Sequence, residues 1–138
     1  PIMQVLPSGV ATDDDIDQMS LVARLSWQNA SFLFTGDLEA ESLSRLSDAG
    51  WPLTCTVLKV PHHGGDGAVS ERLLAMTAPS LAIISVGADN RFGHPASSVL
   101  ELLAQQGIRT LRTDQAGDIE VIADANAMEV KMKHLTTK

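Results

Sequence analysis

The sequence predicts an α/β layered fold, on three observations. Short apolar stretches of strand length recur from end to end, segments of helical composition lie between them, and Gly, Pro, Asn and Asp sit at the joins. The expected order is β-β-β-α-β-α-β-α-β-β-β, that of strands and helices packed in layers. Residues 2–6 read as a first strand, and Pro7-Ser8-Gly9 turns the chain out of it. Residues 12–17 are acidic and polar, a surface loop. Residues 20–27 alternate, with Leu21, Ala23 and Leu25 on one face; Gln28-Asn29 supplies turn chemistry, and residues 30–35 complete a hairpin. Gly36-Asp37 closes that strand, and residues 38–49 have helical composition with a glycine at the end. A strand at 55–60 runs into Pro61-His62-His63-Gly64-Gly65, and a helix near 68–77 follows, with Val69, Leu73 and Met76 at helical spacing. Residues 81–86 form a continuous apolar run, read as a buried strand, and 87–94 form a long polar loop. Pro95 suits the first turn of a helix to about residue 106, with Gly107 as its C-terminal cap. Residues 108–112, 118–123 and 128–132 finish as short strands, the last lying in a C-terminal tail over 124–138.

Bulk properties bound the function. A length of 138 residues fits one domain with one core, and 44% hydrophobic with 20% charged residues is an ordinary globular balance. The longest apolar stretch, Leu81 to Val86, is far short of the ~20 residues that a membrane-spanning helix needs. No basic-then-apolar leader opens the chain, and a start at Pro1 is what an excised segment would have. One cysteine, Cys55, excludes an internal disulfide. Ten Lys and Arg against seventeen Asp and Glu give a net charge of −7. That argues against a broad electropositive footprint, so any nucleic acid would need local basic groups or bound cations.

Three polar clusters share one position, just after a strand and just before a helix. They are Thr35-Gly36-Asp37, Pro61-His62-His63-Gly64-Gly65, and Asp89-Asn90-Arg91-Phe92-Gly93-His94. If their strands run parallel in one sheet, all three reach the edge where α/β ligand sites gather. Each has a plain alternative. Asp37 is equally suited to be a helix N-cap, and capping does not exclude a second role. The His pair is an exposed turn or, given the strand before and glycines after, a metal-binding element. His94 would cap the next helix, Arg91 is a loop charge, and Lys59 more often snorkels to solvent than acts in chemistry.

Taken together, Ser31–Asp37 with Leu38-Glu39, Val57-Leu58-Lys59-Val60-Pro61-His62-His63-Gly64, and residues 82–86 with Asn90-Arg91-Phe92-Gly93-His94-Pro95 resemble the metallo-β-lactamase domain of ComEC-type DNA-uptake proteins. The resemblance covers roughly residues 20–122, and its His-His-Gly and Asn-Arg-Phe-Gly-His-Pro segments are the more specific parts. It implies a four-layer αββα sandwich of two similar halves, of which this chain is the second. It places a metal-bridging aspartate on Asp37 and a ligand histidine on His62 or His63. His62 is favoured because it directly leaves the strand, with His63 near the metal or substrate as a catalytic candidate. His94 is the candidate for holding a phosphate oxygen or protonating a leaving group. Lys59, Asn90 and Arg91 would support the substrate or the groups around the metal.

The departures are equally informative. The family's His-x-His-x-Asp-His run and the histidine that follows it are absent; the four histidines here are His62, His63, His94 and the tail residue His134. Gly65 and Asp66 stand where the family usually continues with Ser. The resemblance therefore implies two divalent ions, Zn²⁺ or Mn²⁺, in the intact domain and weak or absent metal binding by this chain. The implied partners are DNA, the other half of the domain, and a second copy through the apolar face left open. A soluble domain of a membrane-bound parent is the implied setting. The rival readings are another phosphodiesterase of this fold, such as a phosphorylcholine esterase, and a non-catalytic structural module.

Overall fold

The computed structural model describes residues 1–6 and 20–133; His134 and the loop expected at 12–17 lie outside the described residues. A mixed α/β architecture is observed. Strands β1 (Ile2–Leu6), β2 (Val22–Trp27) and β3 (Ala30–Phe34) lead into helix α1 (Ala40–Asp48). Strand β4 (Val57–Lys59), a 3₁₀ turn at Pro61–Gly64, helix α2 (Glu71–Thr77) and strand β5 (Leu81–Ile84) follow. Helix α3 (Ser97–Gln105), strand β6 (Arg109–Arg112), the single-turn helix α4 (Thr113–Ala116), β7 (Asp118–Ala123) and β8 (Met128–Lys133) complete the chain.

The first six strands form one sheet in the order β1-β2-β3-β4-β5-β6. β1, β2 and β3 pair antiparallel, the latter two as the expected hairpin. From β3 onward every pairing is parallel. Spatial order follows chain order, so each crossover steps the same way. Right-handed crossovers then place the three connecting helices on one face. The core agrees. Leu33, Leu58 and Ala82 stand in one register across β3, β4 and β5. They pack in a single cluster with Leu43 and Leu46 of α1, Leu73 of α2, and Val99 and Leu103 of α3.

The opposite face is much less covered. Leu25, Phe32, Phe34, Val57 and Ile83 point that way; among the described residues the β7–β8 hairpin lies against them through Ile119 and Val121, with Pro1 at the rim, and Val57 is buried there. An open groove of about 290 Å³ runs between them, and Phe34 in mid-sheet is 46% exposed.

Local hydrogen bonding accounts for the shifted boundaries. β4 is shorter than expected because the Cys55 N–H donates to the Thr77 carbonyl at 2.8 Å rather than into the sheet. α2 begins at Glu71, where the Ser70 hydroxyl accepts from the Leu73 N–H and caps the helix, while Ala68 is held in a turn on the Gly65 carbonyl. Ala96 rather than His94 is the N-cap of α3, which leaves Pro95 outside the helix. The 3₁₀ turn and α4 were not foreseen; each is a single turn, too short to leave a periodic pattern.

Two outcomes follow from this packing. Burial pushes the Cys55 thiol up to about 12 against a weaker opposing pull from Arg24, and the thiolate is the reactive form. Cys55 should resist thiol reagents in the native protein at mildly alkaline pH and react at the free-thiol rate once urea unfolds it. The open face should drive self-association or dye binding, seen by light scattering and a hydrophobic fluorophore; a monomer that binds no dye would contradict it.

Candidate active site at the strand ends

Because β3, β4 and β5 run parallel, the loops after them share the sheet's C-terminal edge. Each of the three polar clusters occupies one of these loops. Backbone hydrogen bonds join them: the His62 N–H donates to the Gly36 carbonyl at 3.1 Å, and the Ala96 N–H donates to the Gly64 carbonyl at 2.9 Å. The Thr35 hydroxyl donates to the Lys59 carbonyl at 2.9 Å, tying the ends of β3 and β4 together.

Asp37 sits in a tight turn that Gly36 makes with a left-handed φ of 57°. The N-cap of α1 is Glu39, so Asp37 does not cap that helix and its carboxylate faces outward, half exposed. Its own N–H donates to the Ser20 hydroxyl at 3.2 Å. Ser20 is a positioning contact that the sequence did not single out, since it lies seventeen positions away with no motif around it.

His62 and His63 both take left-handed backbone conformations, with φ of 45° and 51°. For non-glycine residues this costs on the order of 1–2 kcal/mol each. The surrounding contacts impose it: the bond from His62 to Gly36, the turn from the Gly65 N–H to the His62 carbonyl at 2.8 Å, and a 2.6 Å contact from His63 Nδ1 to the Ser85 carbonyl. The two rings part company as a result. His63 Nε2 lies 3.7 Å from Asp37 Oδ1. The His62 ring instead meets His94 edge to face, with centroids 5.7 Å apart. Asp37, His62, His63 and His94 thus gather at one edge, with His63 rather than His62 beside the carboxylate.

The loop bearing His94 is held by Asn90. Its side-chain oxygen accepts from the His94 N–H at 2.9 Å, and its amide donates to the carbonyls of His94 and Gly87 at 2.7 and 3.0 Å. Phe92 stacks on His94 with centroids 5.8 Å apart, and the Arg91 guanidinium lies 5.1 Å from the Phe92 ring. Lys59 ends β4 beside these loops, its ammonium 3.4 Å from the Gly36 carbonyl. Burial draws the Lys59 pKa below the ordinary lysine range, and the Asp37 charge acts the other way. A partly buried cation beside Asp37, with three imidazoles in the adjoining loops, is chemistry suited to an anionic ligand. Among the described residues no three His, Cys, Asp or Glu side chains come close enough together to hold a metal ion. The donors present, Asp37 and His63, suit Zn²⁺ or Mn²⁺ in kind but do not close a site by themselves.

Fold and site therefore define an α/β domain with a histidine-aspartate edge at its parallel strand ends. No family model matches the chain. It is 42% identical over 101 residues to ComE operon protein 3 of Bacillus subtilis (73% of this chain, 13% of the relative). It is 33% identical over 107 residues to competence protein ComA of Neisseria gonorrhoeae (77% of this chain, 16% of the relative). Recombination protein 2 of Haemophilus influenzae is 30% identical over 125 residues, covering 91% of this chain and 16% of the relative. These similarities point to a competence-type family, and the chain spans only 13–16% of the length of these relatives. Among the described residues no helix is long and apolar enough to cross a membrane.

Two glycines make the stitched geometry testable. A Cβ on Gly64 would lie 2.8 Å from Pro95 Cβ, at a φ of 77°. Gly64→Ala should destabilise the fold by more than about 1 kcal/mol in urea titration. At Gly65 the added Cβ meets the movable end of a side chain, His94 Cε1, at 2.9 Å. Gly65→Ala, whose Cβ also meets the His62 carbonyl at 3.3 Å, should cost less stability than Gly64→Ala and displace the His94 ring, visible as shifted His94 resonances.

Proposed function

We propose that this chain is the second half of a metal-dependent phosphodiester hydrolase domain of metallo-β-lactamase fold, resembling that of ComEC-type proteins and cutting DNA during uptake. The observation that carries the reading is the 3.7 Å approach of His63 Nε2 to Asp37 at the strand ends, with His94 in the adjoining loop. The name of one relative, a competence protein, supports the biological setting; by the same resemblance the parent protein would be bound to the cell membrane.

Asp37 and His63, the ring beside it, would help to hold the divalent ions, with His63 as the ligand in place of His62. The remaining donors would come from the other half of the domain, which would also cover the open face at Phe32 and Phe34. When bound, such ions lower the pKa of a shared water and neutralise charge on the phosphate. The chain's own side chains do the rest. Lys59 and Arg91 draw the anionic substrate to an otherwise acidic surface, and His94 delivers a proton to the departing oxygen. Asn90 keeps the His94 loop in shape, and His62 buttresses the His94 ring. The competing reading, a non-catalytic module, draws on the lack of a three-donor cluster among the described residues.

The test uses the domain together with its upstream sequence. Asp37→Ala should abolish metal-dependent cleavage of a phosphodiester, since Asp37 is the carboxylate that faces His63. His63→Ala should lower metal content more than His62→Ala does. His94→Ala should leave metal content nearly unchanged while turnover falls about 10²–10⁴-fold, the range for general acid–base groups. The chain alone should bind divalent metal weakly and cleave nothing. Retention of both metal and activity in Asp37→Ala would sink the reading.

A further inference from the structure

We infer that Thr113, far from the three motif loops in sequence, is a positioning residue that fixes which nitrogen of His63 carries the proton. A backbone carbonyl can only accept, so the 2.6 Å contact between the Ser85 carbonyl and His63 Nδ1 requires Nδ1 to hold a hydrogen. In the neutral ring, Nε2 then carries the lone pair, and Nε2 is the nitrogen that faces Asp37. Free neutral histidine prefers the opposite arrangement, with the proton on Nε2. The protein thus selects the less favoured tautomer through the Ser85 carbonyl at 2.6 Å, which outweighs the opposing pull of the Asp37 carboxylate, 3.7 Å from Nε2 and beyond hydrogen-bond distance.

That acceptor belongs to the peptide joining Ser85 to Val86, whose carbonyl and N–H are locked in one plane and point in opposite directions. The N–H side of this same peptide donates to the Thr113 hydroxyl at 2.8 Å, and the hydroxyl in turn donates to the Val86 carbonyl at 2.8 Å. Thr113 therefore sets the tilt of the plane whose other edge meets His63. The turn that presents Thr113 is itself clamped. Arg112 grips Asp114 with two hydrogen bonds of 3.0 and 2.5 Å, and both side chains are largely shielded. Those bonds hold the Asp114 carboxyl below the usual carboxylate range, so the clamp stays ionised near neutral pH. A continuous line of hydrogen bonds thus runs from the β6–α4 turn through the end of β5 to the site. Orientation of a ligand histidine through its second nitrogen is a general device of metal sites. The tautomer assignment stands on the contacts alone, and only its meaning for catalysis rests on the hydrolase reading above.

The test needs neither metal nor substrate. Long-range ¹H–¹⁵N NMR of this chain in alkaline buffer distinguishes the two tautomers for each histidine. His63 should have its proton on Nδ1 in the wild type, keep it there in Thr113→Ser, and move toward the Nε2-protonated form in Thr113→Val. A native-like backbone spectrum controls for folding. Should Thr113→Val fail to fold, Asp114→Asn, which loosens the clamp but keeps the hydroxyl, should produce a partial shift of the same sign. A wild-type His63 protonated on Nε2, or an unchanged tautomer in folded Thr113→Val or in Asp114→Asn, overturns the inference. Since the readout is independent of activity, an inactive intact domain with the expected tautomer would count against the hydrolase reading alone.

Discussion

Parallel hydrogen bonding among three adjacent strands carries everything else in this molecule. Phe34, Lys59 and Ile83 stand side by side in register, so the residues that follow them in the chain leave the sheet at the same level. Neither an aspartate after one strand nor a histidine pair after another is a site. Equal strand ends make them neighbours, and one antiparallel pairing among the three would send a cluster to the far edge, about 10–15 Å away for strands this short. The register is enforced from the helix side, where Leu33, Leu58 and Ala82 form one rank beneath α1, α2 and α3. A slip of one residue would turn these three outward and put Lys59 into the core.

The loops then convert proximity into geometry. Left-handed conformations at two consecutive histidines are costly, and they persist because bonds to Gly36, Gly65 and Ser85 leave the backbone no relaxed alternative. Their effect is to send adjacent side chains to different partners, His63 to Asp37 and His62 to His94. Asn90 achieves a comparable result without strain, spending its whole side-chain amide on the loop that carries His94.

Much of this was legible in the sequence. Alternation and turn chemistry located the strands and helices, β7 to the residue, because those signals are local. The three clusters were legible as strand-to-helix junctions for the same reason. Helix starts lie two to three residues later than the sequence suggests, because capping depends on which hydroxyl or backbone group turns inward, as at Ser70 and Glu39. The partner of each histidine was not legible, since it follows from φ angles that a His-His dipeptide does not advertise. Nor were Ser20, the Ser85 carbonyl and Thr113, whose roles come from long-range contacts and leave no motif.

Two features stand open among the described residues: an apolar sheet face that the β7–β8 hairpin only partly covers, and a carboxylate and an imidazole with no third donor beside them. The proposed hydrolase reading supplies a partner for both. The account turns on Asp37 and His63 acting together on a cation. Paramagnetic broadening by Mn²⁺ in ¹H–¹⁵N spectra of this chain tests that most directly, because it registers binding too weak to isolate. The account predicts broadening centred on Gly36, Asp37 and His63 that disappears in Asp37→Asn. Broadening centred instead on other acidic segments such as the turn at Asp124, or unchanged by Asp37→Asn, would contradict it.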